Sequence, residues 1–187
     1  MSRENKQANE TADSERLLCL DHTDLHRLLT DAIASLERQD LEAAHRQVDY
    51  FWARLAMHIR AEHLHLFPSI INAIEGGKEI GPKRREEITE TIARLRRDHN
   101  FYMNSLAEAI NSLRAMVNRG SASSGEVLTK VRDVLIAIAA NLEPHNEAEE
   151  KLIYKLPPTL LSGSDQAKLL VDITHELDHL PPRFRPS

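Results

Sequence analysis

The chain carries four histidines, His22, His58, His99 and His145, whose intervals invite a common site. The midpoint between His22 and His58 falls at Gln39-Asp40, where two helix-like runs are interrupted. The next midpoint lies beside Gly76-Gly77, and the third falls inside Gly120-Ser121-Ala122-Ser123-Ser124-Gly125. Chain reversals at those three points would carry all four imidazoles to one height. His58 and His145 each have a glutamate four residues on, Glu62 and Glu149, one helical turn away on the same face. Imidazole and carboxylate donors together suit first-row transition metals. A buried ionised carboxylate costs several kcal/mol unless paired, so two carboxylates and four imidazoles on one dry seam need a compensating cation. Six such donors exceed the four of a tetrahedral zinc site. They suit two metals, each with two histidines, joined by two bridging carboxylates.

The elements that must position these donors are helical. Six glycines and 4% aromatic residues in 187 argue against a sheet-rich fold, and Ala, Leu, Glu, Arg and Ile are abundant. A first helix is expected from about Asp13-Ser14 to Arg38, with Leu18, Leu25, Leu29, Ile33 and Leu36 on the stripe that holds His22. A second begins after Asp40, carries Val48, Phe51, Leu55, His58 and Glu62, and meets Pro68, which should end or kink it. The third opens at Pro82 and repeats Ile88, Ile92, Leu95, His99, Tyr102, Leu106, Ile110 and Leu113. The fourth follows the Gly-Ser loop with Val131, Leu135, Ile138, His145, Glu149 and Ile153, is bent at Pro144, and stops at Pro157-Pro158. A short fifth helix spans about 164–179, before a Pro/Arg tail. The expected architecture is an all-α, antiparallel up-and-down four-helix bundle over 13–157, with a disordered lead at 1–12 and a C-terminal helix and irregular tail at 158–187.

These residues resemble the hemerythrin-like, or HHE cation-binding, domains. The resemblance rests on Asp21-His22 with Leu25 and Leu28-Leu29 behind it, on His58-Ile-Arg-Ala-Glu62 through Pro68, on Asp98-His99, and on His145-Asn-Glu-Ala-Glu149 through Tyr154. It implies a non-heme di-iron centre in a four-helix bundle. His22 and His58 would ligate one iron and His99 and His145 the other. Glu62 and Glu149 would bridge them, with an oxo or hydroxo group completing the pair; zinc or another transition metal is an allowed substitute. Oxygen-carrying members use a fifth histidine one turn after the third-helix ligand, and Met103 stands there in this chain. His26, one turn after His22, is the candidate extra imidazole.

The expected function is a di-iron protein that binds, senses or reacts with oxygen, nitric oxide or iron. The alternatives are a di-iron oxidase, peroxidase or nitric oxide reductase, and an iron-centre repair protein, the last disfavoured by an N-terminal stretch without cysteine. Partners are a small diatomic ligand and a redox or signalling protein, with a homo-oligomer allowed. A net charge of −5, without a basic stripe, gives no sign of nucleic acid. One cysteine, no apolar leader and no long apolar run point to a cytoplasmic protein without a membrane span. Cys19 is expected to be an inert thiol. His63 and His65 lie about 100° and 300° around the helix from Glu62, suited to supporting or surface roles. His175 and His179 share a helix face but lack a third ligand, so a surface position is expected.

Overall fold

The computed structural model describes residues 3–119 and 125–184, with side chains described for 14–118 and 125–184. All regular structure among them is helical. The long elements are α1 (Arg3–Glu37), α2 (Leu41–Ala61), α4 (Pro82–Arg119) and α5 (Gly125–Ala148). Two of them run on through one π-helical turn. Glu62–Leu66 links α2 to α3 (Phe67–Glu75), and Glu149–Ile153 follows α5. Then come α6 (Pro157–Leu160), α7 (Gly163–Asp178) and a 3₁₀ turn, Pro182–Phe184.

The boundaries follow local chemistry. Asp40 caps α2 by accepting from the Ala43 amide at 3.0 Å, and Gln39 adopts φ +59°, which turns the chain between α1 and α2. Gly76 ends α3, and Gly77 takes φ +93°, a conformation that glycine adopts without steric cost. α1 starts at Arg3, ahead of the Asp13-Ser14 start expected from apolar periodicity. Lys, Gln, Glu and Ala are good helix formers, so a helix can extend where no apolar stripe marks it. The Gly120–Ser124 loop and the end of the tail lie outside the described residues.

Pro68 does not stop the second helix. The π turn before it shifts the hydrogen bonding so that the Phe67 amide reaches back to the Glu62 carbonyl. At the equivalent place the Tyr154 amide bonds the Glu149 carbonyl at 2.8 Å. Each π turn therefore begins at one of the two glutamates. α5 likewise continues through Pro144.

α1 packs on α2, α2 on α4, α4 on α5, and α5 returns to α1. Two apolar cores fill the interior. One holds Leu25, Leu29, Val48, Phe51, Leu55, Tyr102, Leu106, Leu113, Val131, Leu135 and Ile138. The other holds Leu18, Leu66, Phe67, Ile70, Ile88, Ile92, Leu95, Ile153 and Tyr154. Every long helix crosses from one core to the other at its histidine: Leu18–His22–Leu25, Leu55–His58–Ala61, Leu95–His99–Tyr102 and Ile138–His145–Ile153. α7 packs on α1 and α2, and its Leu169, Ile173 and Leu177 complete the second core. No helix among the described residues is long and apolar enough to cross a membrane.

Candidate metal centre

Between the two cores, His22, His58, Glu62, His99, His145 and Glu149 form one buried layer. The structure thus brings together all six donors that the spacing singled out. They divide into two imidazole pairs. Nε2 of His22 lies 3.1 Å from Nε2 of His58, and Nε2 of His99 lies 2.9 Å from Nε2 of His145. Each glutamate offers one oxygen to each pair. Glu62 Oε1 is 3.7 Å from His58 Nε2, while its Oε2 is 3.4 Å from His99 Nε2. Glu149 Oε2 is 3.3 Å from His22 Nε2, while its Oε1 is 3.0 Å from His145 Nε2.

The opposite ring nitrogen of each imidazole is already engaged. His58 Nδ1 is 2.9 Å from Asp21, His145 Nδ1 is 3.2 Å from Asp98, and His22 Nδ1 is 2.8 Å from Glu150. A carboxylate can only accept, so in these three rings Nδ1 carries the hydrogen, and in the neutral form of each ring Nε2 presents a lone pair. In the fourth, His99 Nδ1 meets His63 Nε2 at 2.9 Å. Lone pairs about 3 Å apart in a dry interior repel unless a proton or a cation lies between them. Glu62 Oε2 and Glu149 Oε1 are also buried without a hydrogen-bond donor. Unprotonated imidazole nitrogens facing carboxylate oxygens, held from behind by carboxylates, are the arrangement a transition-metal site requires. Among the described residues, two groups have donor atoms close enough to hold a metal: His22, His58 and Glu149, and His99, His145 and Glu149. The residues fit the cation their chemistry calls for.

Proton affinities follow the same geometry. Burial depresses His58, and it depresses His99 to about 4 against partial support from Glu149. Burial opposes charge on His22 too, but Glu149 and Glu150 outweigh it and raise that group. Burial acts against the Asp21 carboxylate, yet His58 and Arg54 hold it below the usual range. The glutamates part company. Glu149 overcomes burial through its contacts with His145, His22 and His99 and stays ionised, whereas burial and the neighbouring Glu149 push Glu62 up. A bound cation would replace this proton sharing by direct charge compensation.

Tyr154 belongs to the same layer, though periodicity does not assign it there. Its hydroxyl donates to Glu62 Oε1 at 2.8 Å and lies 3.1 Å from His22 Nε2, 3.4 Å from His58 Nε2 and 3.4 Å from Glu149 Oε2. In an α-helix a residue five after Glu149 points about 140° away from it. The π turn adds one residue to that turn and brings Tyr154 round beneath the site. Asp98 and Glu150 also escape donor spacing, whereas His63 takes the supporting one of the two roles expected for it; all three act on the backs of imidazoles carried by other helices.

The remaining candidates are elsewhere. His26 is exposed and forms part of a cavity wall rather than joining the donor cluster. His65 faces Asp172 and Glu176 of α7 at 3.8 and 3.7 Å. His175 and His179 are exposed, with ring centroids 5.5 Å apart. Met103 packs against the first core, and its carbonyl accepts from Trp52 Nε1 at 3.3 Å. Burial first, then Glu150 and Glu15, raise the Cys19 thiol to about 11, which leaves it protonated and unreactive at neutral pH.

A cavity of about 630 Å³ leads from the surface between α1 and α5 to this layer. All four imidazoles line it. Leu25, Leu55 and Leu142 form apolar walls, and Glu143, Glu147 and Lys151 stand among the polar ones. Glu62, Glu149 and Tyr154 are not among its walls.

A helical bundle with a buried His/Glu layer of this kind defines a cation-binding protein. The chain matches the hemerythrin HHE cation-binding domain over residues 15–156, and it belongs to that family. No match emerges from comparison with curated proteins or with solved structures.

Proposed function

We propose that the protein holds two iron ions in an antiparallel up-and-down bundle and uses them to bind, sense or react with oxygen or nitric oxide. His22 and His58 would hold one ion and His99 and His145 the other. Glu62 and Glu149 would bridge them. The observation that carries this reading is the sharing of each carboxylate: one oxygen faces one imidazole pair, the second faces the other. Zinc or another first-row metal would be accepted by the same donors, since imidazole and carboxylate discriminate weakly among them.

The chemistry supplied by bound iron would be one-electron exchange and coordination of a small molecule. The chain's own part is to set the donors, exclude bulk water and admit the ligand. Apolar walls at Leu25, Leu55 and Leu142 suit an uncharged diatomic gas better than a charged substrate. Asp21, Asp98 and Glu150 fix three imidazole rings and increase their donor strength. A redox or signalling partner, in a cytoplasmic setting, would couple the centre to an output.

With Met103 at the position of the oxygen carriers' extra histidine, reversible oxygen carriage is not expected. Iron-loaded protein should contain two irons per chain by elemental analysis. The reduced form should oxidise in air without recovery on degassing, or take up nitric oxide, as followed by absorption spectroscopy. A spectral change that appears with oxygen and vanishes over repeated degassing cycles would restore the carrier reading. One iron per chain after full loading would refute the dinuclear centre.

A further inference from the structure

The centre is built from an internal repeat. His58, Glu62, His63 and Phe67 follow one another at the same intervals as His145, Glu149, Glu150 and Tyr154. The contacts repeat as well. His63 supports Nδ1 of His99 at 2.9 Å, and Glu150 supports Nδ1 of His22 at 2.8 Å. The Phe67 ring stacks on His99 with centroids 6.3 Å apart, and the Tyr154 ring stacks on His22 at 5.6 Å. Each π turn delivers its aromatic residue to the same place relative to a histidine of the centre. The repeat is broken in chemistry at two positions, and both changes put oxygen on the His22–His58 side: a carboxylate where the other half has imidazole, and a phenol where it has a phenyl ring.

The phenol oxygen lies 2.8 to 3.4 Å from a donor atom of each of the four residues on its side, His22, His58, Glu62 and Glu149. Donors bound to one first-row ion at about 2.0–2.2 Å, in octahedral directions, stand about 2.8–3.1 Å from their neighbours. A hydroxyl that merely donates one hydrogen bond needs one close acceptor. This one sits within reach of four atoms that converge on a common centre. Phe67 has no oxygen to offer the other half.

We propose that Tyr154 is a fifth protein ligand, through Oη, for the metal held by His22 and His58, and that an exogenous ligand binds on the His99–His145 side. The inference rests on the dinuclear reading above. Binding breaks the phenol O–H bond and forms an O–metal bond. The proton leaves to solvent, and no electron is transferred. The two metals are then unequal: one is closed by protein, and the other takes the incoming small molecule. The cavity reaches imidazoles of both halves, so access alone would not choose between them.

Three proteins loaded with ferric iron decide the matter: wild type, Tyr154→Phe, and Tyr102→Phe. Tyr102 is the control, a second buried tyrosine that contacts His145 edge-on with ring centroids 5.4 Å apart. Iron content, visible absorption and resonance Raman spectra are recorded on the same samples, followed by titration with azide. Wild type and Tyr102→Phe should show a phenolate-to-iron charge-transfer band with enhanced phenolate vibrations and bind one azide per chain. Tyr154→Phe should retain two irons, lose the band and the vibrations entirely, and bind a second azide. Two irons in every protein with indistinguishable spectra would overturn the proposal and leave Tyr154 as a hydrogen-bond donor to Glu62. Loss of the band in Tyr102→Phe instead would overturn it as well. Fewer than two irons in wild type would fell the dinuclear reading, and this proposal with it.

Discussion

Asp21 and Asp98 illustrate how single residues set the character of the centre. Each precedes a histidine of the layer, yet each bonds the histidine of another helix, His58 and His145 respectively. A carboxylate behind an imidazole fixes its tautomer and tightens the metal it holds. The glutamates do more, because each reaches both imidazole pairs. On the dinuclear proposal, Glu62→Ala and Glu149→Ala should each lose more metal and more stability than His22→Ala. Metal content by elemental analysis, with melting temperature at matched metal concentrations, checks this through the linkage of binding to folding. Equal metal content in either glutamate variant and wild type would refute the bridging role. The metal-free protein should in turn be acid-sensitive. His99 binds its proton at about 4 when folded, against 6.5 for a free histidine. Between those values the unfolded chain holds more protons, so stability falls as pH drops from about 6.5 to 4. His22, whose affinity is raised, acts in the opposite sense, favouring the fold at pH below 6.5. His99→Asn should reduce the acid-side loss in urea melts of metal-free protein compared between about pH 4.5 and 7, leaving the part that the likewise depressed His58 contributes.

At the scale of elements, the sequence displays the four long helices because each carries an apolar stripe with its histidine in phase, except the start of α1, where polar helix formers extend the helix without one. Asp40, Gly76-Gly77 and Pro82 mark their ends by mechanisms that act locally. The six donors are legible for the same reason: the four-residue spacing of His58 with Glu62 and of His145 with Glu149 survives any packing. The π turns are not legible, since one extra residue in a turn leaves no compositional mark. With them the position of Tyr154 is hidden, as periodicity alone places it on the wrong face. The support given by α7 is hidden too, because it depends on tertiary contacts. Arg54 on α2 pairs with Asp21 on α1 and donates to the Leu177 carbonyl at the end of α7 at 3.2 Å. Arg60 pairs with Glu176 of the same helix at 2.9 Å, from a half-exposed position that contributes little. Arg54→Ala would leave the Asp21 carboxylate buried without its cation and release the end of α7. A loss of about 3 kcal/mol is expected, together with weaker metal retention because His58 loses its anchored partner. Urea unfolding and competition with a chelator measure the two effects. An unchanged chelator profile would show that α7 braces the fold without tuning the centre.

Across the described residues two apolar cores are held apart by a polar layer, and the two cores need not answer to the metal equally. Leu113 is fully buried in the first core, three to four helical turns along α4 from His99 and without a contact to any donor. Leu95 is equally buried in the second core, one turn from His99 on the same helix face. Truncating either leucine removes apolar burial and leaves a cavity, at a cost of about 2–5 kcal/mol. The energetic effect is similar, but its consequences should differ. Around Leu113 the cavity can be absorbed within a continuous apolar region, and the donor layer keeps its geometry. Beside Leu95 the same cavity lies in the shell that holds the His99 ring against Phe67 and His63. Leu113→Ala should therefore lower stability by the same amount in metal-free and metal-loaded protein, with an unchanged metal content. Leu95→Ala should lower the metal-loaded form more, because it loses part of the binding free energy in addition to the packing. Paired urea melts with and without metal give both quantities. An equal loss in the two states for Leu95→Ala would mean that the layer is rigid by its own hydrogen bonds. A larger loss in the loaded state for Leu113→Ala would mean that the two cores and the layer between them act as one unit.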